Sequence, residues 1–204
     1  MPFSTACYCG NNLTIWRCPA DDSRVVADGE PRPRVRSMSM NIYAGGFGGT
    51  DSSLSGARTL RESEYRLHQG GTVWRVFLKL SDFVDPGASR TWLLMDMRED
   101  SIDWGNYATD MRGWPDQPER WGFYDLPGSY HGRAGGISFV DGHAEIRVWR
   151  DHRTMPPLVR GGLALDQLPS PNNPDIGWLQ ERSTRPKKAS PRRWRGGPRK
   201  ISGA

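Results

Sequence analysis

The sequence predicts an α+β domain, rich in loops, whose chain closes a small antiparallel sheet with a hairpin at about 136–149. Three observations carry that prediction. Asp141-Gly142 stands between two β-prone runs, Ile137 to Val140 and His143 to Val148, and an Asp-Gly pair so placed is a strong hairpin signal. Trp92-Leu93-Leu94-Met95-Asp96 is a short, nearly continuous apolar run, as expected of a central strand buried on both faces. Hydrophobic content is only 36% against 24 Gly and 16 Pro in 204 residues, a balance that suits a loop-rich β or α+β domain better than a helical bundle.

Taken in order, residues 1–20 mix short apolar groups with Gly10-Asn11-Asn12 and suggest a short helix or turn leading into an extended segment. Asp21 to Pro33 is polar and is expected as a surface loop. The alternation in Arg34 to Asn41 predicts a strand running into Ile42-Tyr43. Ala44 to Thr50 is glycine-rich, but no G-x-G-x-x-G sits between strand and helix, so a flexible loop is preferred to a phosphate cradle. Residues 57–67 and 72–83 read equally as helix or strand. Pro86-Gly87 marks a turn, and Arg98 to Arg120 a long polar excursion across the surface. Leu126-Pro127-Gly128 then turns the chain into the hairpin. A two-residue loop there places Val140 opposite His143, Phe139 opposite Ala144 and Ile137 opposite Ile146. Ile137, Phe139, Ala144, Ile146 and Val148 then share one apolar face, with Ser138, His143, Glu145 and Arg147 on the other. Three regions result: a globular domain over 1–160, an extended segment over 161–182 and a disordered basic tail over 183–204.

Charge is divided unevenly. Eight of the 28 basic residues lie in 183–204, which has no acidic residue, leaving 20 basic against 23 acidic groups in the rest. Such a tail suits an anionic partner by counterion release, so a nucleic-acid-binding module acting through residues 185–200 is one alternative function. No run approaches the roughly 18–20 apolar residues that span a bilayer, and Met1-Pro2-Phe3-Ser4 has no signal-peptide character. As written, the chain is expected to be soluble. Cys7, Cys9 and Cys18 all fall near the N-terminus. They offer a disulfide from Cys18 to Cys7 or Cys9, three free thiols, or three of the four ligands of a zinc site.

His131 is the residue an enzyme would use, followed after nine residues by Asp141. A His with an Asp can form an oriented acid–base pair, but Asp141 is already explained by its turn, and the intervening strand carries His131 away from it. A hydrogen bond that pins the His131 loop is the preferred role. Asp96, Glu99, Asp100, Asp103 and Asp110 bring hard oxygen ligands around one loop, a composition that suits calcium, although the spacing is not that of an EF-hand. His143, Glu145 and Arg147 read as an ion-paired strand face.

At His131, nine residues and Asp141-Gly142, the chain resembles the globular region of bacterial prepilin-type proteins, the pilin-like and pseudopilin-like proteins of type IV pilus and type II secretion systems. The ordered set extends further. Cys18-Pro19-Ala20-Asp21 is similar to that family's Cys-Pro-x-Asp segment, and Ser37 to Asn41 to its Ser-x-x-Met-Asn strand. Ser89 to Asp96 resembles its strand ending in Asp-Glu, with Met97 in place of the Glu. Asp100 to Asp103 resembles its acidic loop, and Phe139-Val140-Asp141-Gly142-His143 its closing turn. The likeness spans roughly residues 7–155.

The resemblance implies a pilin-like head whose sheet packs on a long N-terminal helix. Cys18, Pro19, Asp21, Asn41, Asp96, His131, Phe139, Asp141, Gly142 and His143 would be structural motif residues. It implies a non-catalytic subunit of the cell envelope, assembled with other pilin-like subunits or secretion components, without a small-molecule substrate. Calcium in a head-domain loop, as in some related pseudopilins, would here use Asp96, Asp100 and Asp103. The family's basic leader, cleavage site and apolar helix are not in this sequence, so a front upstream of Met1 is expected. One sheet face then needs another cover, from residues 57–80 or the tail. The alternative from another class is a metal-assisted hydrolase using His131 and the 96–103 acidic loop.

Overall fold

The computed structural model describes residues 12–45, 74–102, 105–159 and 168–186. Nine short strands appear among them: β1 (Arg24–Ala27), β2 (Glu30–Pro33), β3 (Met38–Asn41), β4 (Trp92–Asp96), β5 (Asn106–Tyr107), β6 (Gly122–Phe123), β7 (Ala134–Phe139), β8 (Ala144–Val148) and β9 (Leu168–Pro169). An α-helix, α1, spans Pro174–Glu181. The principal sheet has five strands in the order β5-β3-β4-β7-β8, while β1 pairs with β2 and β6 with β9 in two outlying ribbons. The fold is α+β as expected, and β4 is the central strand. The sheet is mixed, however, because β5 runs parallel to β3.

The hairpin forms, but its register differs from the expected one. Ser138 pairs with Ala144, Ile137 with Glu145 and Gly136 with Ile146, one residue away from the alignment a two-residue turn would impose. The cause is local. Gly142 has φ 94° while Asp141 stays at negative φ, so the type I′ turn, which needs both positive, is not made. The loop instead takes three residues, with the Phe139 amide donating to the His143 carbonyl at 2.8 Å and the Gly142 amide to the Phe139 carbonyl at 3.0 Å. A shift of one position exchanges the faces of a strand. Ala144, Ile146 and Val148 therefore leave the core face, and Ile146 and Val148 are 58% and 59% exposed.

The sheet thus has two unlike faces. Trp92, Met95, Tyr107, Ile137 and Phe139 join Ile176 and Leu179 of α1, with Trp149, in one buried cluster. On the opposite face Met40 aligns with Leu94 and Ser138, and Met38 with the buried Asp96; Ile146 and Val148 lie on that side of the last strand. The core cover is the part of the chain read above as extended. α1 begins with Asn173, whose side chain accepts from the Asp175 amide, and with Pro174 in its first turn, two standard helix-start devices. Arg147, facing the core side, lies with its guanidinium 4.5 Å from the Trp178 ring centre.

Three more expectations need correcting. Asp21 to Pro33 is not a loop throughout, since Asp28 and Gly29 at positive φ turn β1 into β2. The 98–120 stretch carries β5 and the buried Thr109, Asp110 and Met111 rather than running over the surface. The chain after 182 also stays in the fold for four residues: Ser183 and Thr184 are fully buried, and Arg185 pairs with Asp85 at 3.1 Å. Buried backbone needs partners, and these residues find them. Residues 57–67, the glycines from Gly46 to Gly49 and the tail beyond Pro186 lie outside the described residues.

Past β8, Asp151 accepts from the Arg153 amide at 2.9 Å and binds its guanidinium at 2.6 and 3.0 Å. Those hydrogen bonds to Arg153 hold the Asp151 carboxyl down at about 2, below its ordinary 3.8. A depressed carboxylate stabilises the fold fully above its ordinary value and loses that contribution as pH falls toward the folded value. Denaturation midpoints of wild type and Asp151→Asn should accordingly differ near neutral pH and converge as pH falls from about 4 to about 2; a constant gap across that window would refute the role.

Candidate functional site

At the end of β4 nearest the His131 loop, three side chains from distant parts of the chain converge. Cys18 follows a 3-10 turn (Leu13–Trp16), and its amide donates to the Ser37 hydroxyl at 2.7 Å, tying it to the approach to β3. The Asp21 amide closes the Cys18-Pro19-Ala20-Asp21 turn onto the Cys18 carbonyl at 2.9 Å. Asp96 is the last residue of β4 and is fully buried. His131 sits in the turn before β7, where its amide donates to the Ala134 carbonyl at 3.0 Å. Gly132 and Arg133, both at positive φ, fold the chain back at this point.

The distances are short. His131 Nε2 lies 3.2 Å from Cys18 Sγ and 3.5 Å from Asp96 Oδ2. The three groups together can offer ligand atoms all within 4.8 Å of one another. Asp96 Oδ2 also accepts from the Gly136 amide at 2.8 Å, whereas its Oδ1 has no hydrogen-bond partner. Asp21 repeats that pattern: Oδ1 accepts from the Ser23 amide at 2.9 Å, and the buried Oδ2 has no partner. Burial pushes the Asp96 carboxyl above its usual range, against the pull of the Gly136 amide, His131 and Cys18. Burial likewise raises the Cys18 thiol, and the charges of Asp96 and Asp21 add to it.

Glycines make room for this packing. A Cβ on Gly128 would lie 2.8 Å from Asp96 Cβ and 3.1 Å from Tyr130 Cε2, and one on Gly136 would lie 3.1 Å from Asp96 Oδ2. Gly128→Ala should cost roughly 1–3 kcal/mol in chemical denaturation through overpacking. An effect within error of zero would mean that the loop yields without resistance.

Both contacts of His131 fall on the same ring nitrogen. A catalytic relay uses opposite nitrogens, one toward the nucleophile and one toward the orienting acid. The arrangement therefore lacks the opposite-nitrogen geometry of such a relay. Asp141, at the far end of β7, does not meet His131. It accepts from the His143 amide at 3.2 Å and pairs with His143 Nδ1 at 2.6 Å, while the His143 ring stacks on Phe139 at 4.2 Å.

Other residues singled out in the sequence have structural partners. Asn41 is fully buried and donates to the Trp92 and Ser183 carbonyls at 3.0 and 3.2 Å. Asp100 is clasped by Arg98, at 2.9 and 2.6 Å, and accepts from the Val159 amide at 2.9 Å. Burial would raise the Asp100 carboxyl, but these bonds hold it below its usual range. Asp96 and Asp100 have different hydrogen-bond partners, and Asp103, the third residue of the expected calcium set, lies outside the described residues. Cys7 and Cys9 do too, and with them the expected disulfide to Cys18. The proximity of Cys18 to His131 was missed in the sequence. The usable signal was that Cys18, Asp96 and His131, each assigned to a motif on other grounds, all carry metal-ligand chemistry.

No family model, curated protein or solved structure matches the chain.

Proposed function

We propose that this protein is the head domain of a pilin-like structural subunit, built into an envelope filament or secretion assembly and without catalytic turnover. The observation that carries the reading is the unequal sheet. One face is sealed by α1 and the aromatic core, while the other carries the half-buried Met38, Met40 and Leu94 beside the buried Asp96 and ends, on the edge strand, in the exposed Ile146 and Val148. An exposed apolar strip on a rigid sheet suits docking against a second apolar element. The ordered motif resemblance across residues 7–155 supports an apolar helix of a prepilin-type subunit as that element. Motif residues serve packing in this reading: Asn41 ties β3 to β4 and the post-helix segment, and Asp141 with His143 closes the hairpin.

Fractionation of the native cells tests it. The protein should be recovered with the envelope and in sheared filament preparations, and substituting Ile146 and Val148 together by lysine should release it from both. Exclusive recovery of the wild-type protein in the cytoplasmic fraction would overturn the reading. A metal-assisted hydrolase is the second reading, favoured only by the proximity of His131 to Asp96. Zinc-dependent ester or phosphoester hydrolysis that is lost in His131→Ala would establish it.

A further inference from the structure

We infer that Cys18, Asp96 and His131 form a binding site for a divalent transition metal of the zinc class. The donor set is one thiolate sulfur, one imidazole nitrogen and one carboxylate oxygen, the mixed set that borderline-soft cations select. Spacing supports it. Metal–ligand bonds of about 2.0–2.3 Å in a tetrahedral arrangement put neighbouring ligand atoms about 3.3–3.7 Å apart. The observed separations from His131 Nε2 are 3.2 and 3.5 Å. The ligands come from a turn, a strand end and a loop far apart in sequence. The fold assembles them at a point where Cys18 and Asp96 are buried and the His131 side chain is 34% exposed.

A second, independent observation is the unmet charge. Asp96, fully buried, keeps Oδ1 without a partner, and Asp21, 1% exposed, keeps Oδ2 without one. Asp96 is ion-paired only with His131 among the described residues, and Asp21 with none. Buried carboxylates ordinarily meet a cation or a full set of donors. A bound dication, with the thiol proton released to solvent on binding, supplies that charge. Three protein ligands leave the fourth position of a tetrahedral ion to water or to a ligand from an assembly partner. This site does not depend on the filament reading, and the two can fail separately.

The test is titration of the reduced, chelator-treated full chain with cobalt(II), monitored in the near ultraviolet and visible. Expected is a thiolate-to-cobalt charge-transfer band saturating at one equivalent and displaced by zinc. The band should persist in the Cys7→Ser/Cys9→Ser double variant, disappear in Cys18→Ser and His131→Ala, and weaken at least tenfold in affinity in Asp96→Asn. Zinc should raise the melting temperature of wild type but not of His131→Ala, whose partly exposed side chain leaves the core intact. This comparison covers the case in which the Cys18 variant does not fold. Absence of the band in wild type, its survival in His131→Ala, or its loss in the Cys7/Cys9 double variant would each overturn the site. The last outcome would assign the metal to the N-terminal cysteines instead.

Discussion

Trp92→Ala should be among the most damaging single changes in this protein, lowering stability by roughly 3–5 kcal/mol, the range for truncating a fully buried tryptophan. Trp92 has no exposed surface and stands on the central strand. Its ring meets Tyr107 edge-on at 5.6 Å, and its indole N–H donates to the Ser183 hydroxyl at 2.9 Å. The side chain therefore joins the sheet to the segment that follows α1, and its loss leaves a cavity at that junction. Trp92→Phe separates the two contributions, because it keeps most of the packing and drops the N–H, at a cost of roughly 1–2 kcal/mol. Urea denaturation of both variants measures the difference. An alanine variant within about 1 kcal/mol of wild type would mean that the ring is not a core element.

Asp175→Ala should rank beside it for a different reason. The Asp175 carboxylate is fully buried and accepts from the Arg150 amide at 2.9 Å, the Asp151 amide at 2.9 Å and the Thr154 hydroxyl at 2.8 Å. It thereby fastens the first turn of α1 to the chain leaving the hairpin. Alanine leaves these donors unsatisfied inside the protein, an expected loss of roughly 3–4 kcal/mol. Asparagine retains one acceptor oxygen and should cost about half as much. Hydrogen exchange gives a local reading: the Arg150 and Asp151 amides should lose protection in the alanine variant before the sheet amides do. Unchanged protection there would show that water replaces the carboxylate.

These two residues also mark how far the sequence could be read. Trp92 lies in an apolar run whose strand assignment and central place follow from composition alone. Asp175 lies in a stretch of Pro, Asn and scattered apolar residues that reads as extended. Its helix holds because Asn173 caps it and because Ile176 and Leu179 are buried against the sheet. Eight residues are too few for a stable helix on propensity, so tertiary contact decides it. The hairpin falls between these cases. Its position was legible from Asp141-Gly142, but its register depended on whether Asp141 takes positive φ, and Asp-Gly sequences permit both loops.

From the order of residues alone came the α+β class, the central strand, the site of the hairpin and the inventory of chemically capable side chains. Those follow from local physics: alternation, apolar runs and the backbone freedom of glycine. Only the folded chain decided which residues of β8 face the core, because a one-residue change of register reassigns every side chain on that strand. It also decided that Cys18, Asp96 and His131 meet. Their contact spans 113 residues of chain, a distance over which no local pattern acts, and it exists because two turns and a strand end are packed against one another.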